Sequence, residues 1–428
     1  MLSSDLFLRL DQALPSDLRP LLHAVRIVAA GEGTRLYVVG GAVRDLLLGR
    51  PLVDVDVVVE GDAASLAQRV AQQVGGQVET HGRFGTAKIV RNGQALDLAS
   101  ARTEKYARPG ALPTVQPGTL AQDLARRDFT INALALALTP PHAGALIDPF
   151  AGQKDLEAGL VRVLHDRSFI DDATRIFRAV RYEQRLGFHM EPQTEALARR
   201  DVPYLDTISG DRIRNEIELL LREDVPEKAL ARAADLRALA RVGLPWRDAE
   251  RTAQRFAQAR QAAAPGAPSP ETYLGLLVYG LAPQEAKAAL ARLNFPKTVE
   301  HTLRDVAQLK PILSDLAQPD LAPSALTGRL AAFQPAAVEV CAIACDPPEV
   351  GERLRRYLAE WRHVRPLLDG HDLARLGVPP GPQMGQTLKA LHEARLDSLV
   401  QSREDEEAWV RDLMAQLASV EERARQQP

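Results

Sequence analysis

Two aspartates, Asp54 and Asp56, stand one residue apart in a valine-rich run that is typical of a β-strand. Because successive side chains of a strand point to opposite faces, both carboxylates project from one side and Val55 from the other. Such close carboxylates repel each other unless a cation lies between them. Mg2+ takes oxygen ligands and is usually shared with substrate phosphates. The spacing therefore predicts nucleotidyl transfer, although such pairs are also common at solvated strand ends.

A glycine pair, Gly40-Gly41, precedes a predicted short helix upstream of these aspartates. The N-terminus of a helix offers free backbone N–H groups and the positive end of a dipole to a triphosphate. Asp97, in the strand-like segment 95–98, is a candidate third carboxylate that acts as the base for an attacking hydroxyl. A structural role for Asp97 is the alternative. Taken together, the order and spacing of these residues favour nucleotidyl transfer.

Three further segments extend the pattern, namely 126–133 (RRDFTINA), 148–156 (DPFAGQKDL) and 171–175 (DDATR). With them, residues 33–220 resemble the class II tRNA nucleotidyltransferase and bacterial poly(A) polymerase family, most of all the bacterial A-adding tRNA nucleotidyltransferases. The resemblance implies a polymerase-beta-like head. It also implies that 126–133 binds the ribose and phosphates of the nucleotide, that 148–156 is a hinge, and that 171–175 pairs with the base. The family usually has Glu-Asp where this chain has Asp171-Asp172.

The resemblance assigns roles to individual residues. Asp54 and Asp56 are expected to hold two Mg2+ ions, with Asp97 assisting the terminal ribose hydroxyl. Asp172 and Arg175 are expected to contact the base. The remaining expected nucleotide-binding residues are Gly40, Gly41, Arg44 and Asp45 for the triphosphate, Arg127, Asp128 and Asn132 for the sugar and phosphates, and Arg178 and Arg181.

Asp172 and Arg175 also support base recognition without the family. They are three residues apart and share one face if the segment is helical. A carboxylate accepts hydrogen bonds and a guanidinium donates them, so the pair can complement a base edge without a nucleic-acid template. An ordinary i,i+3 ion pair is the alternative. Arg178, Arg181 and Arg185 continue at helical spacing, where they face either phosphates or solvent.

Composition limits the class of protein. The 428 residues suffice for several cores, and the net charge of −3 argues against coating nucleic acid through bulk positive charge. A small RNA held through local basic patches and shape stays compatible with this charge. No run is long and apolar enough to span a bilayer and no secretory signal is apparent, so we expect a cytoplasmic protein. Cys341 and Cys345 are expected to be buried free thiols.

The order of patterns predicts an α+β protein. Strand and helix patterns alternate up to about residue 150, and helical periodicity dominates from about residue 168. We expect a head with a mixed sheet and helices, followed by an elongated, all-helical neck, body and tail. The predicted domains are 1–150 (nucleotidyltransferase head), 151–222 (neck with base recognition), 223–340 (body) and 341–428 (tRNA-binding tail). The predicted strands are 36–39, 53–59, 78–80, 86–90 and 95–98, with a helix over 62–74 capped by Asp62.

Two Pro/Gly-rich segments are candidates for substrate recognition. The segment 102–119 is predicted to be a loop, and it looks most like the corresponding loop of the A-adding enzymes, where the family uses it in nucleotide choice. A mobile surface linker is the alternative. The segment 368–385 resembles a family tail motif and either places backbone N–H groups against RNA phosphate or simply joins two helices. His371-Asp372 and His165-Asp166 lack the additional His and Asp that an HD-type phosphohydrolase needs.

These observations predict an Mg2+-dependent enzyme that adds AMP from ATP to the 3′ end of tRNA. The expected partners are the acceptor end and top half of tRNA and ATP, with CTP as an alternative substrate. Full CCA addition or CC addition is the nearest alternative function, and a poly(A) polymerase is the next. A small-molecule or protein acceptor, and a non-catalytic RNA-binding module, are the alternatives from other classes. The sequence leaves the oligomeric state open.

Overall fold

The structure is a computed structural model that describes residues 3–81, 85–346 and 348–425. The chain forms two compact units, Met1–Val242 and Gly243–Pro428. This division is coarser than the four predicted domains, whose boundaries stay a prediction. No helix within the described ranges combines the length and the apolar character that crossing a membrane requires.

The first unit contains a mixed sheet. The strands of this unit are β1 (Arg35–Val39), β2 (Asp56–Glu60), β3 (Gln77–His81), β4 (Thr86–Arg91), β5 (Gln94–Ser100), β6 (Arg102–Lys105), β7 (Thr114–Pro117), β8 (Ala135–Ala137), β9 (Leu146–Ile147), β10 (Leu160–Val161) and β11 (His189–Met190). The strand order of the main sheet is β3-β4-β5-β2-β1-β8-β9. Strands β2 and β5 are parallel, whereas the neighbouring pairs β1–β2 and β4–β5 are antiparallel.

The helices of the first unit flank this sheet and then continue without it. They are α1 (Ser3–Ala13), α2 (Arg19–Gly31), α3 (Gly41–Leu47), α4 (Ala63–Val74), α5 (Leu120–Ala125), α6 (Gly152–Ala158), α7 (Ser168–Asp171), α8 (Arg175–Leu186), α9 (Pro192–Asp201), α10 (Gly210–Leu221), α11 (Pro226–Asp235) and α12 (Ala238–Arg241). Helices α2 and α4 pack against each other and against strands of the sheet. Asp62 caps α4 by accepting from the N–H groups of Ala64 and Ser65, so the predicted cap is confirmed.

Both faces of the central strands are apolar, which explains the continuous valine runs. Tyr37, Val39 and Val58 pack with Leu120 and Leu124 of α5 in one cluster. By the alternation of strand side chains, the buried residues between them face the opposite side of the sheet. Asp56 lies two residues before Val58 and therefore belongs to the face that α5 covers.

One predicted strand and one predicted loop need correction. The strand predicted over 53–59 begins at Asp56, so Asp54 lies in the extended segment before it. Leu52 and Val55 are buried and hold that segment in place instead of strand hydrogen bonds. The predicted loop 102–119 contains β6 and β7, which pair into an antiparallel two-stranded ribbon. The other predicted strands lie within or overlap β1, β3, β4 and β5.

The second unit is helical throughout its described residues. Its helices are α13 (Ala249–Ala263), α14 (Pro270–Tyr279), α15 (Pro283–Leu293), α16 (Lys297–Leu309), α17 (Pro323–Leu330), α18 (Pro335–Ala344), α19 (Pro348–Ala359), α20 (Gly370–Arg375), α21 (Pro382–Leu396) and α22 (Arg403–Arg425). Several begin with proline, whose fixed φ and missing N–H suit the first helical turn. Cys341 is buried on α18, Cys345 is partly buried at its end, and both are free thiols. The predicted α+β class, with helices after the head, is confirmed.

The 368–385 motif joins α20 to α21. Asp369 caps α20 by accepting from the N–H groups of His371 and Asp372. Leu368, Leu373 and Val378 are buried in one apolar cluster with residues of α21 and α22. These contacts account for the motif as a helix connection, and its RNA contact stays a prediction.

Candidate active site

A cleft of about 1160 Å³ opens in the first unit, and its walls include α3, β2, β5, the ribbon, the segment after α5 and α8. Most of the predicted site residues line it. These are Gly41, Arg44, Asp45, Asp54, Asp56, Asp97, Arg127, Asp128, Asn132, Asp172, Arg175 and Arg178. The structure therefore brings residues from distant parts of the chain to one place.

The acidic edge of the cleft consists of Asp54, Asp56 and Asp97. Asp56 of β2 and Asp97 of β5 are register partners in parallel strands, so their side chains lie on the same face. Desolvation inside the cleft raises the pKa of Asp56, and the charges of Asp97 and Asp54 raise it further, against the opposing effect of Arg127. The three carboxylates therefore share one electrostatic environment.

The donor set at this edge fits a hard divalent cation. Within the described part of the chain, no group of three or more His, Cys, Asp or Glu side chains is arranged to hold a metal ion by itself. Two carboxylates with an open side suit Mg2+, which commonly completes its coordination with substrate phosphates and water.

Lys88 is a residue of this edge that the sequence analysis missed. It is the register partner of Asp97 across β4 and β5, and its Nζ lies 3.7 Å from Asp97 Oδ1. Its relevance depends on strand register, which a lone lysine in the sequence does not reveal.

The glycine pair begins α3 as predicted. Gly40 has φ +69°, a conformation that residues with a side chain rarely adopt, and a Cβ placed there would lie 2.5 Å from Arg127 Nη1. Gly40 itself is outside the cleft lining, whereas Gly41 belongs to it. The positive φ is the reason why this position favours glycine, and a Cβ there would also require the end of the Arg127 side chain to move. Binding of a triphosphate at the start of α3 stays a prediction.

A hydrogen-bonded network links the predicted phosphate and ribose residues to one another. Arg44 donates from Nη1 to Asn132 Oδ1 (2.8 Å) and from Nε and Nη2 to the carboxylate of Asp45 (2.9 Å each). Asn132 donates to Asp128 Oδ1 at 3.0 Å. Asp128 Oδ2 accepts from Arg178 Nε (2.9 Å) and Nη2 (2.6 Å). Each of these side chains is thereby held in one orientation.

Asp128 is the electrostatic centre of that network. Burial alone would raise the pKa of its carboxyl, yet the charge and hydrogen bonds of Arg178, together with Asn132, lower the pKa to about 2. The carboxyl is therefore ionised at neutral pH. Asp123 has a similar position under Arg126 and Arg127, both of which donate to it, and the sequence analysis missed it because its role depends on burial.

Asp172 and Arg175, the predicted base-contacting pair, do not lie on one face of a single helix as the spacing predicted. Helix α7 ends at Asp171 and α8 begins at Arg175, so Asp172 lies in the break with φ −145° and ψ 97°. Asp172 Oδ1 accepts from Thr174 N (3.1 Å) and Oγ1 (2.7 Å), and Oδ2 accepts from Arg212 Nη2 (2.7 Å). The shared helical face was therefore a wrong premise, since the chain turns at Asp172.

Arg175 is buried and turned towards the protein. Its Nη1 donates to Ser168 Oγ (2.7 Å), and its Nη2 donates to the backbone oxygen of Arg126 (2.9 Å). These bonds differ from the i,i+3 ion pair with Asp172 that was the alternative interpretation. Arg175 still lines the cleft.

The arginines of α8 separate by helical phase. Arg178 and Arg185 are seven residues apart and line the cleft, whereas Arg181 is outside the lining and buried. Seven residues are almost two full turns, and three residues leave Arg181 rotated by about 60° from Arg178. Arg178 pairs with Asp128, and Arg185 pairs with Glu223. Because Arg181 is buried outside the cleft lining, it does not continue the row that the helical spacing predicted.

The ribbon contributes residues that the sequence analysis did not single out. Glu104 and Tyr106 line the cleft, and the hydroxyl of Tyr106 donates to Glu104 Oε2 at 3.1 Å. Burial raises the pKa of Tyr106 to about 12, with a further increase from Glu104. The phenol is therefore neutral at physiological pH and acts as a donor.

Comparison with known proteins agrees with this site. Residues 36–162 match the poly A polymerase head domain, and residues 187–243 match the probable RNA and SrmB-binding site of polymerase A. An A-adding tRNA nucleotidyltransferase from Halalkalibacterium halodurans is 34% identical over 417 residues, which cover 96% of each chain. A CC-adding tRNA nucleotidyltransferase from Deinococcus radiodurans is 35% identical over 89% of this chain and 90% of that protein.

A solved structure shows the same fold. The Thermotoga maritima CCA-adding enzyme complexed with tRNA superimposes with a TM-score of 0.74 at 27% identity, covering 97% of this chain and 98% of that chain. The mixed-sheet head with its acidic cleft thus defines a nucleotidyltransferase. The chain belongs to the class II tRNA nucleotidyltransferase family. Enzymes of this family normally use a divalent metal ion.

Proposed function

We propose that this protein adds one AMP from ATP to a tRNA that already ends in CC. The observation that carries the proposal is the acidic edge of the cleft, where Asp54, Asp56 and Asp97 share one environment beside a wall of arginines. The similarity to the A-adding enzyme of Halalkalibacterium halodurans over almost the whole of both chains supports the choice of nucleotide.

In the proposed reaction, the 3′ hydroxyl oxygen of the tRNA attacks the α-phosphorus of ATP. A new P–O bond forms, the bond between the α-phosphorus and the bridging oxygen breaks, and pyrophosphate leaves with that oxygen. Asp97 would receive the hydroxyl proton. Asp54 and Asp56 would hold Mg2+, which when bound supplies positive charge to the triphosphate and the attacking oxygen.

The network around Asp128 prepares the nucleotide pocket. Because Arg178 and Asn132 are fixed by Asp128, and Arg44 by Asn132 and Asp45, their donor groups lose little conformational entropy when the sugar and phosphates bind. Asp172 would accept a hydrogen bond from the exocyclic amino group of adenine. Donation from Arg175 to the ring requires its guanidinium to leave Ser168 and the backbone of Arg126.

We further propose the four-domain organisation, with a head over 1–150, a neck over 151–222, a body over 223–340 and a tRNA-binding tail over 341–428. The match of residues 187–243 to an RNA-binding region and the tRNA complex of the Thermotoga maritima relative support this assignment. We place the activity in the cytoplasm, where mature and repairable tRNA is found.

CC addition or full CCA addition is the second candidate. The 35% identity to the CC-adding enzyme of Deinococcus radiodurans favours it specifically, since that similarity also extends over most of both chains. The chemistry of the acidic edge is the same for all three reactions, so the specificity has to be measured.

The test uses three tRNA transcripts, ending before CCA, after C and after CC, each with Mg2+ and labelled ATP, labelled CTP or both. We expect incorporation of a single AMP into the CC-ended transcript, with a kcat/KM for CTP far below that for ATP. Sequential addition of C, C and A to the shortest transcript would make the protein a CCA-adding enzyme, and CMP additions alone would make it a CC-adding enzyme. A long A ladder on unrelated RNA would indicate a poly(A) polymerase.

Two aspartate variants test the site itself. Asp54→Asn and Asp56→Asn should abolish incorporation, because each removes a charge from the proposed metal ligands. Asp17→Asn is the matched control, since Asp17 is exposed in the same unit and outside the cleft. Wild-type rates in either aspartate variant would contradict the proposed site.

A further inference from the structure

The tip of the ribbon, residues 106–113, is docked on the neck. Gly110 N donates to the backbone oxygen of Asp171 at 3.3 Å. A Cβ on Gly110 would lie 2.7 Å from the backbone oxygen of Thr207 and closer still to its hydroxyl, and φ of Gly110 is +72°. The tip therefore approaches the 3-10 turn Val202–Thr207 as closely as backbone permits, and only glycine fits there.

Arg212 of α10 connects this tip to Asp172. Its Nη1 donates to the backbone oxygen of Gly110 at 3.2 Å, and its Nη2 donates to Asp172 Oδ2 at 2.7 Å. The guanidinium is planar and its two arms are rigidly joined, so both contacts depend on one side-chain position. Asp172 and Gly110 precede Arg212 by 40 and 102 residues, which makes this a tertiary contact.

The contact also fixes the carboxylate of Asp172. Thr174 donates to Oδ1 and Arg212 donates to Oδ2, so the plane of the carboxylate cannot rotate without breaking one of these bonds. Arg212 is outside the lining of the cleft, whereas Asp172 belongs to it. In the proposed function, Arg212 would act on a nucleotide through Asp172.

We propose that Arg212 is a positioning residue for nucleotide choice, which holds the ribbon tip and the base-facing carboxylate of Asp172 in one arrangement that favours adenine over cytosine. This inference rests on the proposed function, in which Asp172 faces the base. Its structural part, the connection from Gly110 through Arg212 to Asp172, can be tested without any nucleotide. Loss of the connection leaves Asp172 free to rotate towards either exocyclic amino group.

The first experiment measures hydrogen exchange at the Gly110 amide in the nucleotide-free, full-length protein. Arg212→Gln removes the charge and one arm, so we expect faster exchange of a peptide covering 106–113. Arg214→Gln is the matched control on the same helix, because Arg214 pairs with Asp211 and Glu218 of α10 instead. Equal exchange in wild type and Arg212→Gln would overturn the proposal.

The second experiment measures kcat and KM for ATP and CTP on the CC-ended transcript. For Arg212→Gln we expect the ratio of kcat/KM for ATP to that for CTP to fall about tenfold, the order expected for one hydrogen bond to a charged group. The change should appear mainly as a higher KM for ATP. Arg212→Lys, which keeps the charge but reaches one partner at a time, should restore part of the ratio. An unchanged ratio in Arg212→Gln would overturn the proposal. A ratio in Arg212→Lys that is as low as in Arg212→Gln would overturn it as well.

Gly110→Ala gives an independent approach that leaves Arg212 in place. It prevents docking of the tip and should lower the same ratio. In the double variant, the ratio should fall no further than in the more affected single variant, because both changes break the same connection. Additive losses would show that the two residues act separately and would overturn the proposal. Use of CTP by the wild-type protein with a kcat/KM close to that for ATP would instead count against the proposed A-adding function, while the exchange result and the change in ratio would still decide the role of Arg212.

Discussion

Replacing Asp128 by Asn should destabilise the first unit strongly. Asn keeps an oxygen that can accept from Phe129 N and Asn132 Nδ2, as Asp128 Oδ1 does at 2.8 and 3.0 Å. It places an amide nitrogen against Arg178, however, where Oδ2 now accepts two bonds of 2.6 and 2.9 Å. Two donors then face each other, and the largely buried guanidinium of Arg178 loses its main anionic partner.

The magnitude follows from the pKa of Asp128. The shift from 3.8 to about 2 corresponds to about 2 kcal/mol of stability at neutral pH, because each pKa unit equals about 1.4 kcal/mol. Leaving a buried charge without its partner adds to this loss, so we expect about 2 to 4 kcal/mol in total. Since the folded pKa is lowered, the contribution is present above the unfolded pKa and is lost as the pH falls towards 2. The difference between wild type and Asp128→Asn should therefore shrink below about pH 4.

Native-state hydrogen exchange of α8 in increasing urea measures this free energy locally. The fluorescence of Trp246, Trp361 and Trp409 reports on the second unit alone and should keep its urea midpoint. Glu223→Gln is the control for the same helix, because Glu223 pairs with Arg185 of α8 in a more exposed ion pair for which we expect about 0 to 1 kcal/mol. An Asp128→Asn loss no larger than that of Glu223→Gln, or one independent of pH, would refute the reasoning.

Three further variants or reactions probe other parts of the molecule. Gly40→Ala should lower kcat/KM for ATP at least tenfold with the fold intact by circular dichroism, because its Cβ would displace Arg127; an unchanged value would contradict this. Burial raises the pKa of the Glu216 carboxyl, although the charge of Arg178 opposes this, so the folded protein loses stability as the pH rises from 4.5 through the raised pKa. The stability of Glu216→Gln relative to wild type, measured by hydrogen exchange of α10, should therefore increase over this pH range. A stability difference that does not change with pH would contradict this. Burial raises the pKa of the Cys341 thiol strongly, so Cys341 should react with a thiol reagent only when the second unit unfolds; rapid reaction in the native protein would oppose this.

The local patterns predicted much of the fold and of the site. The glycine pair at the start of α3 and the Asp62 cap depend on neighbouring residues, and both were predicted correctly. The location of Asp56 and Asp97 on strands was also predicted correctly, because a strand pattern and a charged residue within it are both local signals.

The predictions that failed depend on contacts between distant segments. The break at Asp172 is stabilised by Thr174 and by Arg212, which is 40 residues away, so no helical period could reveal it. Arg175 turns inward because Ser168 and the backbone of Arg126 accept its hydrogen bonds. Lys88 reaches Asp97 only through strand register. In each case the residue was visible in the sequence but its partner was not.

Competition between nucleotides tests the central claim most directly. The CC-ended tRNA transcript is incubated with the protein, Mg2+ and equal concentrations of ATP, CTP, GTP and UTP, and the 3′ ends of the products are sequenced. We predict that the extended molecules carry one additional A and end there. Products that carry C, or more than one added nucleotide, would contradict the account.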